Sequence, residues 1–548
     1  MENNNLRTSG YTSIPGSLYP QINTVPAAEN PYMPVQYTQR KQISKFKPDA
    51  ADFVFALLTF ILGYMFSRWL LFTWQGWGVA VFTTAYLLII TAYMLKKGVY
   101  VKNVPSWFWF GITLATGISY ALWENRGIIG LREMLLFCSA VYYVIVASNR
   151  TIMGKTSNAL LLDGINTICI IPFRNFINQY LSFAVLKRKK ENRGKRLPIF
   201  LGIMFGLVLL LCLVPLLLRA DSGGFAVIVD FFTGLVKIDI NLLVEILFYS
   251  VFAVPIAAYI YGLVSGAAHK RGTDTIKQES TVKAATAMRC FQPATVFIAL
   301  GTVCGLYLIF ILCQIPYFFS AFTGRRPEGW LIYAEYARHG FFELCGIAAI
   351  NLLIITIGNT TCRKKRIESR VLKSFNIAIA IITLVLIATA MSKMALYIDA
   401  YGLTMPRLLP CVFMVLMAVV FIALIVLQKW EFSIVRFSLV VGCVGICTLC
   451  LSNPDAIVVR YNTERFIAGT LVNFDTEILK RSGSAGVDSA TKIYEMTSDE
   501  QLKTAIAAYL DMQSFSIENG YGMGLGRSEN GYNYEMYHAR EILKLGEW

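Results

Sequence analysis

The chain has 548 residues, 56% of them hydrophobic and only 15% charged, with mean hydropathy +0.54. Soluble domains carry charge nearer ~25%, so a water-soluble globular class is excluded. The net charge of +16 does not indicate nucleic acid, because the Lys and Arg residues lie in short loops between apolar runs. That is the pattern of loops held at the cytoplasmic face of a membrane, near anionic lipid.

Residues 1–50 are polar and carry proline at Ile14-Pro15 and Asn30-Pro31-Tyr32-Met33-Pro34. They read as a disordered cytoplasmic tail, with no signal peptide. From there to 452 the apolar residues collect in runs of about 20, the length that crosses hydrocarbon at 1.5 Å per residue. Spans are predicted at 52–73, 76–95, 106–122, 129–148, 198–218, 241–264, 292–316, 340–359, 374–393, 407–428 and 434–451. Basic loops follow every even-numbered span: Lys96 and Lys97, the run 187–196, Lys270 and Arg271, Arg363 to Arg366, then Lys429 and Arg436. The positive-inside rule therefore places the N-terminus in the cytoplasm of a cell membrane and the C-terminus outside.

Two apolar stretches are interrupted by polar groups. Asn158 to Leu186 contains Asp163, Asn166, Arg174, Asn175, Asn178 and Gln179, and Gly223 to Ile240 contains Asp230, Lys237 and Asp239. Both read as interfacial helices, the first with an alternative re-entrant hairpin through Ile171-Pro172. After Leu451 the composition turns polar, and 453–548 is predicted as a small extracytoplasmic helical domain. The fold class is all-α, a polytopic bundle of about eleven spans with that domain at its C-terminal end.

Counting depth along each span at 1.5 Å per residue places Arg68, Arg132, Glu133, Glu245, Glu343 and Lys393 in the outer third of the membrane. Asn351 is the main polar residue near the midplane. Such groups either snorkel to headgroups or converge on a site that faces outward. Two stretches concentrate them: Tyr333 to Leu344, with Glu335 and Arg338 spaced i,i+3 and then Glu343, and Ser392 to Arg407, with Lys393, Asp399 and Arg407. Glu335, Arg338, Glu343, Lys393, Asp399 and Arg407 are the candidate substrate-binding residues.

These stretches also carry a resemblance. Tyr-Ala-Glu-Tyr-Ala-Arg-x-Gly-Phe at 333–341 and Tyr-Gly-Leu-Thr-x-x-Arg at 401–407 resemble motifs of a bacterial polytopic membrane family, domain of unknown function four-one-seven-three. The turn from Arg219 to Phe225, and Asn453-Pro454-Asp455, Tyr461-Asn462 and Arg465, are similar to it as well. The chain departs from the family's pattern at Gly486-Val487-Asp488-Ser489. The resemblance covers roughly 155–548 and implies the membrane fold; it implies no activity.

Little else carries chemistry. Cys443, Cys447 and Cys450 share one face of the last span, which reads as small-residue packing rather than a soft-metal site. Three histidines in the whole chain disfavour a His-based metal site, and the glycines at 520–526 lack the Lys-Ser/Thr of a phosphate loop. No metal or cofactor is expected. The run 187–196 is expected to meet anionic lipid. Three functions remain open: a transport or export component with an outward polar vestibule; a scaffold or sensor acting through its outer domain on a partner protein; and a membrane enzyme on a lipid-linked envelope substrate, with Glu335 or Glu343 as base and Arg338 or Arg407 holding phosphate.

Overall fold

The computed structural model describes residues 46–71, 76–183, 206, 240–322, 341–519 and 532–545. The predicted span at 198–218 (residue 206 apart), the basic run 187–196, the turn at 219–225, the glycines at 520–526, and Glu335 and Arg338 lie outside them. The chain forms two compact units, Met1–Phe46 and Lys47–Trp548. Among the described residues the second unit is helical throughout, apart from one isolated parallel bridge between Phe291 and Cys362.

The bundle begins with α1 (Ala50–Trp69), α2 (Trp77–Lys96), α3 (Val104–Leu122) and α4 (Ile129–Ala147). Short pieces follow: α5 (Leu160–Ile165), a π-turn (Asn166–Ile170), α6 (Ile171–Arg174) and α7 (Asn178–Ser182). Then come α8 (Ile240–Ala268), α9 (Gln278–Ala287), α10 (Pro293–Phe322), α11 (Phe341–Thr361), α12 (Arg370–Tyr401), α13 (Met405–Val426) and α14 (Ile434–Leu451). The C-terminal helices are α15 (Pro454–Ile467), α16 (Glu477–Ser482), α17 (Val487–Met496), α18 (Glu500–Asn519) and α19 (Tyr534–Leu545).

Nine helices among the described residues are long and apolar enough to cross a membrane: α1, α2, α4, α8 and α10 to α14. The predicted span at 106–122 is filled by α3, which has 19 residues but is not one of the nine. Its buried face carries Ser106, Thr113, Thr116, Ser119 and Tyr120. The threonines satisfy themselves on their own helix, Thr113 donating to Trp109 O at 2.8 Å and Thr116 to Ile112 O at 2.7 Å. A small hydroxyl face of that kind lets helix backbones approach closely, at the expense of mean hydropathy.

Side-chain contacts sort the helix termini into two ends. At one end Asp52 of α1 meets Lys97, just past α2, and His269, just past α8. There too Arg289, ahead of α10, donates to Cys362 O past α11, and Arg366, ahead of α12, donates to Leu427 O past α13. At the other end Arg68 of α1 pairs with Glu245 of α8 at 3.5 Å. The α3–α4 and α12–α13 corners gather there with the C-terminal helices. Successive long helices therefore run in alternate directions.

The tightest helix pair is α1 against α8, where Gly63 removes the side chain that would hold them apart. A Cβ there would stand 3.1 Å from both the Ala257 backbone nitrogen and Cβ, and closer still to Ala253 O. Gly63→Ala is expected to lower stability by about 1–3 kcal/mol, since backbone has to move. Thermal unfolding in detergent checks this, and an unchanged midpoint would contradict it.

Candidate functional site

Four of the six sequence-predicted residues, Glu343, Lys393, Asp399 and Arg407, fall among the described residues. Glu343 is exposed on the first turn of α11, with Lys393 of α12 close enough to feel its charge. Asp399 and Arg407 belong to the α12–α13 corner. The α12 helix stops at Gly402, whose φ of 76° suits glycine. Arg407 donates to Tyr401 O at 2.9 Å and to Gly402 O, and its guanidinium lies 4.2 Å from the Tyr397 ring centroid. Arg465 of α15 reaches back to Asp399, 2.7 Å to its carbonyl and 3.3 Å to its carboxylate. Asn462 brackets Leu403, accepting from its N–H at 2.8 Å and donating to its carbonyl at 2.7 Å. The Tyr-Gly-Leu-Thr-x-x-Arg stretch is thus a corner to which α15 is bolted. Elsewhere in the bundle Arg68 pairs with Glu245, and Asn351, predicted near the midplane, accepts from Tyr307 at 2.5 Å and donates to Thr383 at 2.9 Å.

A second polar seam lies at the α3–α4 corner, and sequence reasoning missed it. Asn125 takes a left-handed φ of 51°, which turns the chain sharply after α3 and drives Glu124 inward, leaving it 1% exposed. The Glu124 carboxylate accepts from Arg126 Nε at 2.5 Å, and from the Ser484 amide at 2.9 Å and hydroxyl at 2.8 Å. Its own N–H donates to Glu535 of α19 at 2.9 Å, and Glu535 also accepts from Asn453 at 2.5 Å. Asp455, on the first turn of α15, accepts from Gly127 N–H at 3.0 Å. Arg132 of α4, buried beneath, holds Trp123 O at 3.0 Å and Glu124 O at 2.8 Å, and stacks 3.7 Å from the Tyr120 ring.

Three buried carboxylates thus share one seam with one directly ion-paired arginine. Burial dominates there, and the neighbouring acids add to it. The Glu535 carboxyl is pushed up to about 7 and Asp455 to about 6, despite the N–H groups that favour their charged forms. The seam is continued by Trp77 N–H donating to Tyr532 O at 3.0 Å and Trp123 Nε1 to Leu451 O at 2.8 Å.

At the opposite end Asp52 is fully buried. It accepts from Tyr93 at 2.6 Å and Lys97 at 2.9 Å, and His269 Nε2 lies 3.0 Å away. Asp49 and Asp52 also form the capping box that starts α1. One carboxylate therefore ties α1, α2 and α8 together.

Beside this cluster, the stretch read as interfacial is a broken helix with a buried polar face. Pro172 has no N–H for Ile168 O, so the turn widens and Ile171 N–H bonds Asn166 O instead. Ile168 O is taken by Tyr259 of α8 at 3.0 Å. Asn175 caps the break, donating at 2.8 Å to Ile171 O and to Arg271 O. Tyr259 also lines an apolar cavity of about 430 Å³, with Phe82, Tyr86, Phe137, Phe173 and Pro255 among its walls.

The last-span cysteines are buried, with Cys447 3.9 Å from Thr116 of α3. No cluster of three or more metal-ligating side chains occurs among the described residues.

The signals for the missed sites were local. A Glu-Asn-Arg-Gly run is an unusually charged way to join two apolar helices, and Asn453-Pro454-Asp455 has the form of a helix cap. Neither tells which distant residue will close over it.

No curated protein and no solved structure matches the chain. A family model does match, over residues 110–493: a domain of unknown function, numbered differently from the family that the motifs resembled. That interval begins within α3 and runs on through α14, taking in the α12–α13 corner and both Glu124 and Asp455 of the seam. The chain belongs to the family described as Domain of unknown function (DUF4153).

Proposed function

We propose that this is an eleven-span membrane protein with a cytoplasmic N-terminus, and that residues 453–548 form an outer helical domain through which it acts as a scaffold or sensor for a partner protein in the envelope. The alternating helix ends support the spans. The described flanks at 183 and 245 lie at opposite ends of the bundle, Phe183 against Phe53 and Glu245 against Arg68. Basic loops at the Asp52 end support its cytoplasmic placement.

The observation that carries the functional reading is the seam: Glu124 of the bundle is hydrogen-bonded to Ser484 and Glu535 of the C-terminal helices. Buried polar contacts of this kind fix one docked geometry instead of a tethered, mobile domain. A transport vestibule built on Asp399 and Arg407 has less support, because both serve the α12–α13 corner. A truncation after 464 that still inserts in the membrane is expected to fail to complement loss of the full chain; full complementation would overturn the reading.

Docking carries a pH signature. Glu535 and Asp455 bind protons more tightly docked than free, so docking is strongest below the ordinary carboxylate range. It weakens as pH rises through about 6 and then about 7. For Glu535 this is on the order of 3 kcal/mol. Protease resistance of α16 to α19 is expected to fall over that window in the wild type, to keep only the part through about 6 in Glu535→Gln, and to stay nearly flat in Asp455→Asn/Glu535→Gln. Identical pH profiles would contradict it.

A further inference from the structure

Asp163 and Asn166, at the start of the π-turn, are not used by the seam or by the Asp52 cluster. Both side chains are fully buried, at 0% exposure. Asp163 Oδ1 accepts from the Ile152 N–H at 2.7 Å, while Oδ2 has no hydrogen-bond partner among the described residues. Neither Oδ1 nor Nδ2 of Asn166 has a partner. The residues stand one turn apart, on the same face of the broken helix. Around them lie Tyr142 of α4, whose hydroxyl is 3.0 Å from Thr156 Oγ1, and Arg436 of α14, which donates to Thr156 O at 3.0 Å. Arg436 thus serves a backbone carbonyl and does not pair with Asp163.

Among the described residues, an ionised carboxylate in that position has a single donor and no counter-charge, a state that proteins avoid by neutralising the group. A proton on Oδ2 converts the unpartnered acceptor into a donor and leaves Asn166 Oδ1 as the acceptor nearest in sequence on that face. The break supplies the means of access. Helical hydrogen bonding is already interrupted between Asn166 and Pro172, and Tyr259 holds the freed carbonyl by a single side-chain bond. A segment held in this way opens at lower cost than a continuous helix.

We propose that Asp163, with Asn166, forms a buried proton-binding site at the π-turn, which takes up a proton when the broken helix is closed and gives it to water when the segment opens. The reaction balances as carboxyl to carboxylate plus one proton, with no other co-reactant. Burial pushes the Asp163 carboxyl up to about 6, so the site fills and empties within the physiological range.

The test is infrared difference spectroscopy of the full chain in lipid nanodiscs, titrated between about pH 5 and 7. It is run in an Asp455→Asn/Glu535→Gln background, so that the seam carboxyls do not contribute. A protonated-carboxyl band that disappears with rising pH, is absent in Asp163→Asn and shifts in Asn166→Ala is the expected result. An alkaline jump should also release one proton per chain fewer from Asp163→Asn. An unchanged spectrum in Asp163→Asn overturns the proposal. So does loss of the band at fixed low pH on replacing choline with sodium, which would assign the site to a metal cation. Because Asp163→Asn keeps the shape and the neutral charge of the protonated acid, it is expected to fold as the parent does.

Discussion

Glu124→Ala is expected to release the C-terminal helices from the bundle. It deletes the acceptor for Arg126 and for two donors of Ser484, leaving a buried amide, a buried hydroxyl and a guanidinium facing two other acids. Removing one member of a buried, hydrogen-bonded charge pair costs about 3–5 kcal/mol. Here the cost falls on an interface, so it should appear as undocking before unfolding. Limited proteolysis should cut α16 to α19 many-fold faster, while bundle helicity measured by circular dichroism stays constant. Glu124→Gln, which keeps an acceptor for Ser484, should recover part of the protection. Parental cleavage rates in Glu124→Ala would show that the seam contributes little to docking.

Asp52→Ala should have an effect of similar size at the other end. It removes the carboxylate, buried at 0% exposure, on which the Tyr93 hydroxyl, the Lys97 ammonium and His269 Nε2 converge, and leaves Lys97 with Asp49 at 2.7 Å. It also removes half of the capping box of α1. A loss of about 1.5–3 kcal/mol is expected for the charge-assisted hydrogen bonds that go, with roughly 1 kcal/mol more from the cap. The readout is the thermal midpoint of the purified protein. Asp52→Asn should fall between the two, because it keeps acceptor capacity without the charge. A midpoint unchanged in Asp52→Ala would mean that Lys97 and His269 find other partners.

The nine long apolar helices were legible because hydrocarbon imposes length and composition on a helix, and their alternation was legible because a basic loop follows every second one. The α3 helix shows where hydropathy alone loses the signal. Its hydroxyls lower the score, yet they bond their own backbone and make the helix a close-packing element. The candidate site was less legible. Depth along a span says that Asp399 and Arg407 lie near one surface, but not that both would be consumed by a corner and by α15. Glu124 and Glu535 are 411 residues apart in sequence, and no local pattern joins them. Asp52 was passed over because an acidic residue at a helix start is ordinary for capping; only the fold brings Lys97 and His269 onto it. The Pro172 break was visible as a polar interruption with an Ile-Pro step. Its form as a π-turn depends on Tyr259, 91 residues away from the carbonyl it holds.

Thiol labelling of intact cells tests most directly the claim that the C-terminal helices form an outer domain on a bundle whose Asp52 end is cytoplasmic. Val472, at 88% exposure, lies in the C-terminal set, and the chain's own Cys290 is exposed at the Asp52 end. With a membrane-impermeant maleimide, Val472→Cys should react in intact cells, and Cys290 only after permeabilisation. Labelling of Cys290 in intact cells, with Val472→Cys protected until the membrane is opened, would contradict the account.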